Sequence, residues 1–248
     1  MLADAAPGPT LIIAIDGPSG SGKSTVARRV ARALQLRYLD TGAIYRALTW
    51  AVLEAKVDPA DVAGVLSVAS TSQIRVSTDP EAPAVSVGDN DVAAAIRGPA
   101  VTRAVSAVSA VPQVRERLVT LQRAIIGAGG IVVEGRDIGT VVCPDAPVKI
   151  FLTASAETRA KRRSADVNMS AGDRDVTSVK ADLAMRDALD STRASSPLTM
   201  APDALPLDST TMTEDAVVER VLDVVAQRSR ELTGATRSPS YGAQTDDA

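Results

Sequence analysis

Lys23 and Ser24 close the run Gly17-Pro18-Ser19-Gly20-Ser21-Gly22-Lys23-Ser24-Thr25, which meets the spacing G-x-x-x-x-G-K-[ST] at every fixed position. Residues of these types at this spacing handle phosphate. The glycines let a backbone wrap a polyphosphate with its N–H groups turned inward, and a helix starting behind them adds the partial positive charge of its N-terminus. The lysine reaches the terminal phosphates, and the Ser24 hydroxyl is suited to Mg²⁺. The bland alternative is a Gly-Ser turn with a chance lysine. The flanks argue against it. Leu11-Ile12-Ile13-Ala14-Ile15-Asp16 is apolar and β-branched and reads as a buried parallel strand, while Val26, Ala27, Val30, Ala31 and Leu34 recur at helical spacing. Strand, loop and helix is the context this motif requires, so the stretch predicts a nucleoside triphosphate site.

Such a loop does not by itself separate a kinase from an ATPase or a GTP switch. The base-reading signature Asn-Lys-x-Asp of GTPases is absent from the sequence, which weakens the switch. Arginines instead stand where other loops open: Asp40-Thr41-Gly42-Ala43-Ile44-Tyr45-Arg46 follows a short strand at Arg37-Tyr38-Leu39, and Glu134-Gly135-Arg136-Asp137 follows the strand Ile131–Glu134. In an open α/β sheet those strand ends border the ligand crevice. An arginine beside a triphosphate predicts a second anion; the alternative is a surface arginine paired with a neighbouring carboxylate.

The elements that must hold these groups follow an α/β order. After the first strand, loop and helix (to about Gln35) comes a second strand and a helix from Ala43 to about Ala55, so a parallel sheet with helices on both faces is expected. From Gln73 to Asp91 the pattern alternates around the turn Asp79-Pro80-Glu81-Ala82-Pro83, predicting two antiparallel strands in a small insertion. Helical spacing returns at Val101, Val105 and Val108, stops at Pro112 and resumes to Ile125. Val148–Leu152 reads as a strand, Ser155 as the cap of a basic helix, Ser164–Asp175 as a mobile polar stretch, and Val176–Asp190 as a helix. Ala204–Asp208 reads as a last strand, at an edge because of Pro206, and Thr213 and Asp215 open the final helix.

A chain of 248 residues buries a large core without disulfides or metal, and one domain with an insertion is the simplest expectation, two small domains the other. The net charge of −3 gives no general argument for nucleic acid or an anionic membrane. With no histidine and only Cys143, His-based metal sites and Ser/His or Cys/His catalysis are excluded, and a reducing compartment is expected. No apolar run approaches a membrane span, and the first ten residues lack a secretory pattern, so the expected location is cytoplasmic.

Several stretches together resemble bacterial cytidylate kinases, within the nucleoside monophosphate kinases. They are Ile15–Lys23, Leu39–Arg46, Gly135–Val142, Pro144–Leu152, Arg159–Arg163, Arg186-Asp187 with Asp190–Arg193, and Asp208-Ser209-Thr210. The resemblance implies a P-loop three-layer fold: a central parallel sheet flanked by helices, a small antiparallel insertion and a lid. It places the kinase domain at 11–229, the monophosphate-side insertion at about 70–100 and the lid at about 155–190; outside it, composition alone predicts a loose Ala/Pro/Gly lead at 1–10 and a disordered tail at 230–248. The resemblance further implies ATP-dependent phosphorylation of CMP and dCMP with Mg²⁺. From the sequence itself, with no clear oligomerisation surface, a monomer is the default expectation, and neither nucleic acid nor membrane is expected as a partner.

The site residues carry over by motif. ATP is expected at Gly17, Pro18, Ser19, Gly20, Ser21, Gly22, Lys23, Ser24 and Thr25, with Arg159, Arg162 and Arg163 from the lid. Arg46, Arg136 and Arg193, with Tyr45, are expected around the acceptor phosphate; Arg186 and Asp190 at the ribose; Ser106, Arg115 and Asp137 at the cytosine; and Thr41 among the residues that bind CMP. Lys23, Arg136, Arg162 and Arg193 are the expected catalytic cations, and Ser24 the Mg²⁺ ligand. Thr41 stands where Ser is common and Glu134 where Asp is common; the hydroxyl and the carboxylate are kept. Within phosphotransfer, a kinase of another small acceptor is the near alternative, and a non-enzymatic nucleotide switch the distant one.

Overall fold

The computed structural model describes residues 11–168, 176–193 and 195–235. Strand β1 (Ile12–Asp16) is the middle of a five-stranded, all-parallel sheet of order β2-β6-β1-β7-β8, with β2 at Arg37–Asp40, β6 at Ile131–Gly135, β7 at Val148–Thr153 and β8 at Leu205–Asp208. β1 is apolar up to its last residue, Asp16, because it is covered on both faces: Ile13, Ala14 and Ile15 are all fully buried. The register pairs Asp16 with Gly135, and Asp40 with Glu134, so the chain leaves three neighbouring strands at nearly one level.

One face of the sheet is covered by α1 (Lys23–Ala33) and α8 (Glu214–Ala235), whose Val26, Val30, Val217 and Val221 pack on Ile13, Ile15 and Ile150. The other face carries α2 (Thr41–Glu54), α3 (Val62–Thr71), α4 (Pro99–Ala110) and α5 (Pro112–Ile126), packed through Leu48, Val65, Val108 and Leu118 against Leu39 and Val133. Beyond α2 lies a three-stranded antiparallel sheet, β3 (Ile74–Val76), β4 (Val85–Val87) and β5 (Asn90–Asp91). Helices α6 (Ala156–Asn168) and α7 (Val176–Thr192) pair with each other through Ala160, Val179 and Leu183. No helix among the described residues is long and apolar enough to cross a membrane.

Local rules set the boundaries. α2 begins two residues earlier than the apolar spacing suggests, since Asp40, the last residue of β2, also accepts the Ala43 N–H at 3.0 Å and caps the helix. Pro112 supplies the first position of α5 where no N–H is needed, so the interruption is one residue, Val111. Ser155 caps α6 as expected, accepting the Thr158 N–H at 3.2 Å. Pro206 lies on β8, which pairs on one side only.

Four expectations need correction. The insertion has three strands, because Asn90-Asp91 turns back onto β4. Helix α3 was not anticipated; Asp61 caps it by accepting the Gly64 N–H at 3.1 Å. The stretch from Ser164 is helical as far as Asn168, a continuation of α6, and the rest of the expected mobile loop (169–175) lies outside the described residues. α8 runs to Ala235, past the expected start of the tail at 230; the tail beyond it and the lead at 1–10 lie outside the described residues.

Leu48 is fully buried between α2 and its neighbours, whereas Leu189 on α7 is 48% exposed. Leu48→Ala is therefore expected to cost about 2–5 kcal/mol of unfolding free energy in urea titrations, and Leu189→Ala to stay within about 0.5 kcal/mol of the parent.

Candidate active site

The turn after β1 is closed by backbone proximity. A Cβ at Gly17 would lie 2.0 Å from the Leu152 carbonyl oxygen, so only glycine lets the loop start against β7. The loop then ends at Gly22, which caps α1. Lys23 turns back into it: Nζ donates to the Pro18 carbonyl at 2.8 Å and reaches the Ser21 hydroxyl at 3.4 Å. Burial, then the Arg136 charge beside it, holds Lys23 well below the ordinary lysine range.

Glu134, the neighbour of both β1 and β2, sits under this loop. Its carboxylate accepts from the Tyr38 hydroxyl at 2.7 Å and lies near Ser24, and its carbonyl accepts from Thr41 Oγ1 at 2.7 Å. Burial and then Asp40 push the Glu134 carboxyl up, while Lys23 pulls it down. Ser24, Lys23, Thr41 and Glu134 thus form one buried or half-buried cluster, although they come from three elements.

Beside it lies a cluster of arginines. Arg136 Nη1 donates to the Gly17 carbonyl at 2.5 Å and its Nε to Asp190 at 2.7 Å. Asp190 also holds Arg193, whose Nε donates to the Asp190 carbonyl at 3.2 Å. Arg46 projects from α2 and donates to the Ile96 carbonyl at 3.2 Å and to Thr102 at 3.1 Å. Further in, Arg115 Nη2 donates to Asp137 at 2.6 Å with both side chains almost fully buried, and its guanidinium lies 5.1 Å from the centre of the Tyr45 ring. Arg115 Nη1 also donates to the Ser109 carbonyl at 3.4 Å, and the Ser109 hydroxyl to the Ser106 carbonyl at 3.2 Å. Ser106 is therefore a neighbour of this pair through Ser109, with no direct bond to it. Burial pushes the Tyr45 phenol up to about 12.

The cytidylate kinase family profile matches residues 13–227. The chain belongs to the cytidylate kinase family. It is 56% identical over 221 residues to the cytidylate kinase of Mycolicibacterium paratuberculosis, covering 88% of this chain and 96% of that one. To the Corynebacterium glutamicum cytidylate kinase it is 51% identical over 225 residues, covering 89% and 98%. To that of Streptomyces avermitilis it is 50% identical over 222 residues, covering 89% and 94%. Membership makes it a transferase with a nucleotide-binding P-loop fold, a kinase that phosphorylates a nucleoside monophosphate with ATP.

For a cytidylate kinase family member, the electrostatics of the pocket are informative. Burial, then Arg186 and Arg163, lower Arg46 to about 9; burial, then Arg136, lower Arg186 to about 10. Several cations thus crowd a recess, and the carboxylate of Asp190 only partly compensates them, which is the field an anion relieves. Two arginines of α6 contact the loop. Arg159 Nη1 donates to the Ser19 carbonyl at 3.1 Å, and Arg162 Nη1 donates to the Ser21 carbonyl at 3.3 Å and to Ser209 Oγ at 2.9 Å. Arg163 is half-buried on the same helix. Pro18, Ser19 and Gly20 are half-buried in the loop, while Thr25 is exposed on α1.

Three groups were not singled out from the sequence. Asp187 pairs with Arg159 and accepts the Ser19 N–H at 3.3 Å, so a carboxylate takes one of the loop's donors. Ser209 lies between Thr153, Ser21 and Arg162. Tyr38 supports Glu134 from β2. Asp187 and Ser209 lay inside recognised motifs, but their partners are distant in the sequence.

Because Arg115 and Asp137 are 3% and 5% exposed, removing one strands a buried charge. Asp137→Ala is expected to lower the unfolding free energy by about 3–5 kcal/mol, checked by urea unfolding at neutral pH; a loss under about 1 kcal/mol would show that Arg115 finds another partner.

Proposed function

We propose that this kinase transfers the γ-phosphoryl group of ATP to CMP and dCMP. The observation that carries the reading is the buried Arg115–Asp137 pair beside Tyr45, which offers a fixed donor next to a fixed acceptor. Cytosine presents an amino donor at position 4 and acceptors at N3 and O2; uracil reverses the first two. Asp137 accepts from the cytosine amino group, and Arg115, with Ser106, donates to N3 and O2. Against uracil each group meets its own kind, at about 1–3 kcal/mol for each unpaired buried group.

The remaining assignments follow the same pocket. Residues 17–25 cradle the ATP phosphates, and Arg159, Arg162 and Arg163 close over them from α6. Arg46, Arg136 and Arg193, with Tyr45 and Thr41, take the acceptor phosphate, and Arg186 and Asp190 the ribose. The insertion about residues 70–100 and the lid about 155–190 are the parts that move to exclude water. Mg²⁺ suits the hard oxygen donors that Ser24 and Glu134 bring together beside Lys23, with phosphates and water supplying its other ligands; when bound, it neutralises charge on the transferred phosphoryl.

The chemistry asks for placement. The acceptor is a phosphate oxygen, nucleophilic at neutral pH, so no histidine or other strong base is needed. Lys23, Arg136, Arg162 and Arg193 supply positive charge around the transferring group, the term that dominates phosphoryl transfer. Arg136 stands between the loop and Asp190, where it contacts a group passing from one site to the other.

A coupled ADP-release assay across CMP, dCMP, UMP and AMP tests the reading. CMP and dCMP are expected to exceed UMP in kcat/KM by a factor of about ten to several hundred, with AMP poorer still because a purine overfills a one-ring pocket. Asp137→Asn, which keeps the volume that Asp137→Ala would lose, is expected to narrow the CMP/UMP ratio. A parent enzyme preferring UMP or AMP, or a ratio that the substitution leaves alone, refutes the base assignment.

The phosphate loop has its own test. Lys23→Met is expected to keep the far-ultraviolet circular dichroism of the parent and to lose about two orders of magnitude or more in turnover. Near-normal turnover in that variant removes Lys23 from the chemistry.

A further inference from the structure

Asp16 is the last residue of β1, directly before the phosphate loop, and it is 5% exposed. Its two carboxylate oxygens are used separately. Oδ1 accepts the Ile138 N–H at 2.8 Å and Oδ2 accepts the Gly139 N–H at 2.7 Å. Those amides open the five-residue helical turn Ile138–Val142, which immediately follows Arg136 and Asp137. One residue further along the chain, the Gly17 carbonyl accepts from Arg136. Residues 16–17 and 136–139 are therefore joined by three hydrogen bonds, two of them through one side chain.

From this geometry we infer that Asp16 is a positioning residue for phosphoryl transfer: its bidentate carboxylate sets the distance and angle between the triphosphate loop and the Arg136–Asp137 segment. The inference rests on the assignment of those two segments to donor and acceptor sites. Each site is built by other residues, so losing Asp16 leaves both binding sites standing and disturbs their relation. A kinase is sensitive to that relation, because the attacking oxygen must meet the γ-phosphorus in line, and a misplacement of about 1 Å costs on the order of a hundredfold.

A purely structural role fits the site poorly. Among the described residues no cation lies within ion-pair distance of Asp16. The charged and titratable groups around it are Lys23 from α1, Asp137 and Arg136 after β6, Cys143 at the end of the turn, and Lys149, whose side-chain stem packs against Gly139. Burial raises the Asp16 carboxyl to about 6, with the two amides pulling the other way. A carboxyl whose folded pKa lies above its unfolded value loses stability as pH rises from the unfolded value through the folded one. At neutral pH the ionised group is thus a net cost to the fold. An uncharged residue of the same shape would relieve that cost and keep only one of the two bonds.

Asp16→Asn separates the possibilities. The parent and the variant are compared with whichever nucleoside monophosphate the parent turns over fastest, so failure of the CMP assignment is seen in the parent alone. Turnover is measured with ATP and Mg²⁺. Affinities for a non-hydrolysable ATP analogue and for the monophosphate are measured separately by calorimetry, and amide exchange is followed at Ile138 and Gly139. Expected are a loss of about ten- to a hundredfold in kcat, each dissociation constant within about threefold of the parent, and faster exchange at the two amides. A kcat within about threefold of the parent overturns the inference, as does a loss of turnover matched by weakened binding at one site. If Asp16→Asn does not fold, Gly139→Ala carries the test with the same expectations: its methyl group would press on Lys149 at 3.2 Å and on Asp16 Oδ2 at 3.4 Å, disturbing the joint from the other side.

Discussion

The parallel pairing of β1 between β6 and β7 is the constraint on which the other features rest. Because the hydrogen-bond register ends β1, β6 and β2 within a residue of one another, the phosphate loop, the Arg136–Asp137 segment and the start of α2 emerge side by side. No loop longer than a few residues is needed to bring Lys23, Glu134, Thr41 and Arg136 together. The strand interiors are apolar because both faces are covered, and each fully buried Ile or Val contributes about 1.5–3 kcal/mol. That rigidity is what lets the ends of the strands hold groups that would otherwise spread apart.

They would spread because the site gathers like charges. Beyond burial, Arg186 and Arg163 lower the proton affinity of Arg46, and Arg136 and Arg163 lower that of Arg186; Lys23 feels Arg136 in the same way. Carboxylates offset this locally: Asp190 between Arg136 and Arg193, Asp187 on Arg159, Glu134 near Lys23. Backbone carbonyls of the loop do the rest, at Gly17, Pro18, Ser19 and Ser21. The loop's carbonyls thereby hold cations, while one of its N–H groups, that of Ser19, is taken by Asp187.

Much of this was legible in the sequence wherever the signal is local. The glycine spacing, the β-branched run before it and the cap at Ser155 each act over a few residues, and the motifs around Arg46, Arg136 and Arg186 pointed to arginines that the fold gathers near the loop. The misses share a cause. Helix α3 mixes Gly64 and Ser67 into a modest apolar spacing, and only the covering core settles it as helix. The turn Ile138–Val142 has no local helical pattern; its first amides are held by Asp16, far away in the chain. Asp187 and Ser209 sat inside recognised motifs, but their roles are defined by contacts to Ser19 and Ser21 that no local pattern carries. Ser106 shows the opposite: a residue expected at the base that touches the Arg115 pair only through Ser109.

Arg136 touches the Gly17 carbonyl with one nitrogen and Asp190 with another, so a single side chain belongs to both halves of the crevice. Its position is a compromise between two sets of bonds. A ligand that draws the guanidinium toward one half weakens its hold on the other. Thermodynamic linkage then requires the effect to be mutual: whatever free energy the first ligand adds to or removes from the second, the second returns in equal measure to the first. Two ligands that both draw on Arg136 would therefore not have independent affinities but would give two readings of one shared arginine.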